Sequence, residues 1–165
     1  MNERRDMLTT ITENPKATKQ LGENLGRNLS PGSIVALAGE LGSGKTTLVQ
    51  GIGQGLGINN IIKSPSFVII HEYSGRVPLY HLDLYRLASL QEISSLGYEE
   101  YFYEKRGVVA IEWAEKMKDL LPPEYLKIKL EIVNLSKRKI TLESYGTSYN
   151  KVIEKLKRSP CGIGI

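Results

Sequence analysis

Apolar residues gather along this chain in two alternating rhythms. Ile34-Val35-Ala36-Leu37-Ala38 is an unbroken run that reads as a buried strand, and Val108-Val109-Ala110-Ile111 repeats it, ending on Glu112. Leu126, Ile128, Leu130 and Ile132 alternate with polar residues, as on a half-buried strand, and Ile140 with Leu142 predict a return strand after a turn at 134–139. The helical rhythm begins at Asn14, a candidate cap for a helix whose first position is Pro15. Ala17, Leu21 and Leu25 mark its apolar face, and Ser30-Pro31-Gly32 ends it. A second helix is predicted from Lys45 to about Leu56, with Gly57 as its cap. Its Gly51, Gly53 and Gly55 each weaken it by about 1 kcal/mol relative to Ala, so tertiary packing must hold it. Close approach to a neighbour is one use for such glycines. Residues 67–73 and 77–82 flank Ser74-Gly75-Arg76 as a hairpin. Residues 89–96, 98–103 and 148–158 are predicted helical, and Pro122-Pro123 breaks the chain. This mixture of βαβ units and hairpins predicts an α/β layered fold with parallel and antiparallel strands in one sheet.

The link between the first strand and the second helix carries the chemistry. Gly39-Glu40-Leu41-Gly42-Ser43-Gly44-Lys45-Thr46 fits G-x-x-x-x-G-K-[ST] at every constrained position. Glycines let the backbone approach phosphate oxygens, and successive N–H groups form an anion-binding nest. The helix that follows points its unsatisfied N–H groups and positive dipole end at the same place. Lys45 adds an ammonium for the β- and γ-phosphates, and the Thr46 hydroxyl is a candidate Mg²⁺ ligand. The chain is therefore expected to handle a nucleoside triphosphate.

Such a site also needs an acid at a strand end. Asp83 follows Leu79-Tyr80-His81-Leu82, and Glu112 ends the cleaner apolar run. Ligands gather outside the carboxyl ends of parallel strands, so both acids are candidates to stand beside Thr46. One would ligate the metal while the other orients or deprotonates the attacking water. Ser64-Pro65-Ser66 lies between the second helix and the next strand, where a hydroxyl can sense a γ-phosphate, although the same three residues make an ordinary turn. Trp113, beside Glu112, either covers the site or belongs to the core. His71 and His81 have no Cys or His at ligand spacing and read as structural or surface residues. Tyr98, Tyr101 and Tyr103 lack interleaved basic residues and read as packing.

Composition bounds the picture. The 165 residues suit one domain, expected over 1–150, followed by a basic tail over 151–165. Of 22 basic and 18 acidic side chains, the tail holds four and one, so the body is near neutral. Such a tail contacts nucleic acid or an acidic partner, or is simply a solvated helix end. No apolar run approaches the roughly 18 residues of a membrane span, and Met1-Asn2-Glu3-Arg4-Arg5-Asp6 has no apolar core behind it. The single Cys161 excludes an internal disulfide and a cysteine-only metal cluster, and the cytoplasm is the expected compartment.

Four blocks then carry a resemblance: Gly39 to Thr47; Lys63-Ser64-Pro65-Ser66-Phe67; Tyr80-His81-Leu82-Asp83-Leu84-Tyr85-Arg86-Leu87; and Ile111-Glu112-Trp113. In order and approximate spacing they resemble the TsaE (YjeE) family of bacterial P-loop ATPases needed to make threonylcarbamoyladenosine in tRNA. The resemblance spans about Leu21 to Leu121 and weakens beyond Pro122-Pro123. It implies a P-loop NTPase-like three-layer α/β domain with a mostly parallel central sheet and some antiparallel strands. It implies ATP and Mg²⁺ as cofactors, with Gly39, Glu40, Leu41, Gly42, Ser43, Gly44, Lys45, Thr46 and Thr47 around the phosphates. Asp83 and Glu112 would complete the metal and water site, Glu112 being the preferred metal ligand with Thr46. Ser64 and Ser66 would lie on a switch-like loop, and Trp113 near the nucleotide. Ser66 stands where the family often has Thr, and the hydroxyl is kept. The implied partners are a threonylcarbamoyl transferase subunit and its inactive paralogue, with tRNA reached through that complex and no membrane involved.

Two other readings share the loop. A small-molecule kinase would need a second pocket and usually an Arg-bearing lid, for which Arg138 is the available candidate. A nucleotide-gated binding module would use ATP only to order a partner surface. A GTP switch is disfavoured, because no Asp-x-x-Gly follows the loop and no Asn-Lys-x-Asp is present to read guanine.

Overall fold

The computed structural model describes residues 5–63 and 69–159. Strand β1 (Met7–Thr12) leads into helix α1 (Pro15–Arg27), then β2 (Ile34–Ala38) and α2 (Lys45–Gly55). β3 (Ile70–Tyr73), β4 (Leu79–Asp83), α3 (Leu90–Ser94), β5 (Val108–Glu112), β6 (Tyr125–Ile132), β7 (Arg138–Tyr145) and α4 (Thr147–Arg158) follow. A π-helical turn at Glu100–Glu104 and a 3-10 segment at Ala114–Leu120 flank β5.

The seven strands form one sheet in the order β1-β7-β6-β2-β5-β4-β3. The β6–β2, β2–β5 and β5–β4 pairs are parallel, and the pairs toward each edge are antiparallel. The α/β expectation with a mostly parallel centre is met. In register, Leu37 lies opposite Glu112 and Glu112 opposite Asp83. The chain therefore leaves β2 beside the carboxyl ends of β5 and β4.

Alternation along the strands splits the core into two layers. Val35, Leu37, Val108, Ala110, Leu126, Ile128, Ile140 and Leu142 pack with Leu25, Leu48, Ile52, Ile153 and Leu156 of the helices. On the other face, Ala36, Leu82, Val109 and Ile111 pack with Ile93, Phe102, Ala114 and Met117. Across β1, β7 and β6, Met7, Ile11 and Lys129 are exposed between buried neighbours, and Lys139 is exposed beside buried Ile140.

The glycines of α2 show what holds it. A Cβ on Gly51 would stand 2.0 Å from the Lys19 carbonyl oxygen, and one on Gly55 would stand 2.3 Å from that of Glu23. Gly22 and Gly26 of α1 are equally close to the Leu48 and Ile52 carbonyls. The two helices touch backbone to backbone, which no side chain would permit. Gly53 faces the Ile62 side chain instead.

Helix α1 starts as expected, with Asn14 Oδ1 accepting from the Ala17 N–H at 2.8 Å. Several expectations need correction. β1 was not foreseen, because two of its three buried positions are threonines, Thr10 and Thr12, so no apolar alternation marks it. The helix expected at 98–103 is a single π-helical turn, and the 3-10 segment after Trp113 was not anticipated. The boundary expected at residue 150 falls inside α4, whose Val152, Ile153 and Leu156 are core residues. No helix among the described residues is long and apolar enough to cross a membrane.

Candidate functional site

The turn from β2 to α2 is a glycine loop closed by the Ser43 N–H donating to the Glu40 carbonyl at 3.0 Å. Gly44, the N-cap of α2, has φ 99°, a left-handed conformation that a Cβ would oppose. It offers no side-chain cap, so the first N–H groups of α2 have no side-chain acceptor there. A Cβ on Gly42 would meet nothing within 4 Å, which leaves that rim open. Gly39 sits tightly at the base, where a Cβ would come within 2.5 Å of Ser43 Oγ and 2.6 Å of the Leu130 carbonyl. The Glu40 and Leu41 side chains are exposed, so these residues can face a ligand through backbone alone. Thr47 follows in the first turn of α2, half-buried.

Lys45 folds back over this loop. Its ammonium donates to the Gly39 carbonyl at 2.6 Å and the Glu40 carbonyl at 2.9 Å, and lies 4.1 Å from the centre of the Trp113 ring. Burial pushes its pKa below the ordinary lysine value, while Glu112, Glu115 and Asp83 pull it back up. Thr46 Oγ1 donates to Glu112 at 2.9 Å from Oε1 and 3.1 Å from Oε2. Glu112 is almost completely buried, and its second contact is His81 Nε2, 2.5 Å from Oε2. Asp83 ends the next strand, opposite Glu112, half-buried, and accepts the Tyr85 N–H at 3.0 Å.

Trp113 is the one non-glycine residue among those described with positive φ, at 61°. That conformation costs on the order of 1–2 kcal/mol and turns the ring toward Lys45 and Tyr85, whose ring centre is 5.1 Å away. Arg138 reaches the loop from β7, donating to the Gly42 carbonyl at 3.0 Å. Its other nitrogen is tied to the Asn134 and Lys137 carbonyls, so it braces the rim.

The structure thus brings Lys45, Thr46, Glu112 and Trp113 together, with Asp83 one strand further out. Ser64 and Ser66 lie outside the described residues. Sequence reasoning passed over His81, because a lone histidine carries no ligand spacing. Its place two residues before Asp83, on the same face of a strand, was the available signal.

A glycine loop between a buried strand and an uncapped helix, with its lysine, its threonine and an acid from the neighbouring strand, defines a P-loop nucleotide-binding domain. The family model described as threonylcarbamoyl adenosine biosynthesis protein TsaE matches residues 12–140. The chain belongs to the TsaE family. It is 40% identical over 148 residues to the tRNA threonylcarbamoyladenosine biosynthesis protein TsaE of Bacillus subtilis, covering 89% of this chain and 92% of that one. The protein of the same name from Nostoc is 42% identical over 153 residues, covering 90% and 93%. The crystal structure of Bacillus subtilis YdiB superposes with a TM-score of 0.82 at 37% identity, over 95% of this chain and 98% of that chain.

Proposed function

We propose that this protein binds and hydrolyses ATP with Mg²⁺, as an accessory subunit in threonylcarbamoyladenosine modification of tRNA. The observation that carries the ATPase reading is the contact between the Thr46 hydroxyl and the Glu112 carboxylate at the mouth of the loop. The relatives named for tRNA threonylcarbamoyladenosine biosynthesis support the pathway. The partners would be the threonylcarbamoyl transferase subunit and its inactive paralogue, with tRNA reached through them.

The residues fit both cofactors. The open rim at Gly42 and the uncapped amides of α2 suit phosphate oxygens, and Thr46 with Glu112 and Asp83 offers the hard oxygen donors that Mg²⁺ prefers. Held by Thr46 and Glu112, Mg²⁺ would supply charge neutralisation for the phosphates of ATP. Lys45 exchanges its two carbonyl acceptors for those oxygens and holds them as charge develops. Glu112 and Thr46 hold the metal side of the site. Asp83 orients the attacking water and takes its proton, so that water displaces ADP in line from the γ-phosphorus. Trp113 walls the loop and limits access of bulk water.

The test is ATP hydrolysis with Mg²⁺, by the protein alone and with the purified transferase pair and tRNA. Slow turnover that rises with the partners is expected. A rate indifferent to them removes the accessory role and redirects the search to small-molecule phosphate acceptors.

A further inference from the structure

His81 occupies a place where the fold favours an apolar side chain. It follows Tyr80 and precedes Leu82 in β4, has no exposed surface, and points to the same face as Leu79 and Asp83, opposite to Tyr80 and Leu82. Its Nε2 is 2.5 Å from Glu112 Oε2, while its Nδ1 is buried with no partner among the described residues. A buried polar atom left unpaired costs about 1–3 kcal/mol, and a leucine here would remove that cost. Packing alone does not call for an imidazole here, and the one hydrogen bond it makes among the described residues is to Glu112.

Glu112 needs such a contact. Its carboxylate stands between two attractions besides His81. Thr46 Oγ1 holds it toward the mouth of the loop, and the Lys45 ammonium attracts it across the loop. Closing onto Lys45 would neutralise the cation meant for phosphate and would remove the acid from Thr46.

We propose that His81 is a positioning residue whose Nε2–H grips Oε2 of Glu112 and fixes that carboxylate against Thr46 for metal ligation. The inference rests on the Mg²⁺ reading above. A carboxylate that ligates a metal is an acceptor, so Nε2 donates, and Nδ1, the acceptor nitrogen, has no partner among the described residues.

The test compares His81→Phe, which keeps a ring and removes the donor, with His81→Gln, whose amide reaches the position of Nε2. ADP is titrated first in EDTA and then with increasing MgCl₂, read by the emission of Trp113, the one tryptophan of the chain. In His81→Phe, metal-free ADP binding should stay within about two-fold of the parent, because loop amides and Lys45 carry it. The Mg²⁺ concentration needed for half-effect should rise by about 10–100-fold, and kcat should fall with KM for ATP little changed. His81→Gln should recover most of both. If His81→Phe does not fold, His81→Asn replaces it, its amide being too short to reach Oε2. Parental Mg²⁺ dependence in His81→Phe, equal losses with and without metal, or no recovery in His81→Gln would overturn the assignment. Parental ADP binding and turnover that ignore Mg²⁺ would instead remove the metal reading itself, and this inference with it.

Discussion

Replacing Gly51 by alanine sets two effects against each other. By helix propensity alone, Gly51→Ala should stabilise α2 by about 1 kcal/mol. The new Cβ, however, would stand 2.0 Å from the Lys19 carbonyl oxygen, 2.9 Å from the Glu23 nitrogen and 2.9 Å from the Gly22 Cα. These are backbone atoms of a helix and cannot rotate aside, so α1 and α2 must part by about 1 Å. A gap of that size forfeits a quarter to a half of the dispersion energy of each atom pair facing across the crossing. Overpacking costs about 1–3 kcal/mol, and a rigid obstacle belongs at the upper end. Subtracting the propensity gain leaves a net loss of about 2 kcal/mol, or about 4–8 °C in Tm for a chain of this length. Gly53→Ala is the control: its Cβ would meet Ile62 Cδ1, the end of a flexible side chain, and should be nearly neutral. Urea unfolding of the parent and both variants reads the difference directly. A Gly51→Ala protein as stable as the parent, or more stable, would show that the helix contact does not hold α2.

Four further outcomes follow from the site and its supports. Lys45→Ala should weaken ATP binding by about 10–100-fold, the loss of one or two charged hydrogen bonds, as read by calorimetric titration. Glu112→Ala should lose Mg²⁺-dependent hydrolysis while circular dichroism stays native, and unchanged turnover would take Glu112 out of the mechanism. Burial holds the Tyr149 phenol above its ordinary pKa against the lowering effect of the Ile34 N–H it accepts, with Glu124 adding to the rise. Its stabilising effect is present in full below about pH 10, the unfolded value, and is lost as pH rises through the folded value. Tyr149→Phe should therefore be less stable near pH 8 by about 1–3 kcal/mol, with a flatter decline above pH 10 in urea titrations. Asn14→Ala removes the cap on Ala17 and should cost about 1 kcal/mol by the same assay.

The parts of the fold that could be read from sequence are those in which one physical signal dominates. β2 and β5 are unbroken apolar runs, and the structure gives both the expected bounds. The glycine loop is contiguous, so its chemistry was legible without tertiary information. The meeting of Glu112 with Thr46 was legible only as an expectation about strand ends, and the register of β5 on β2 realises it. β1 was hidden because two of its three inward residues are threonines: Thr12 Oγ1 bonds Thr18 Oγ1 at 2.7 Å, while Thr10 Oγ1 is buried with no partner among the described residues. The backbone turn at Trp113 left no mark, since nothing in the identity of a tryptophan announces positive φ. His81 was passed over because its partner lies on another strand. For Glu112, Trp113 and His81 the deciding neighbour is distant in sequence.

The pairing of β1 with β7 sets an order of events during synthesis. Thr12 lies opposite Arg138 and Met7 opposite Glu143, and the Asp6 N–H reaches Ser144 Oγ at 2.9 Å. At about 5–20 residues per second, a ribosome makes Met7 on the order of ten seconds before its partner strand exists. α1, β2 and α2 can assemble meanwhile, but the sheet cannot gain its outermost strand until β7 has emerged and paired with β6. The first made of these seven strands thus docks only after the seventh, and its Leu8, Thr10 and Thr12 wait uncovered until then. Slowing translation across 125–145 should lengthen the protease-sensitive life of the amino-terminal segment.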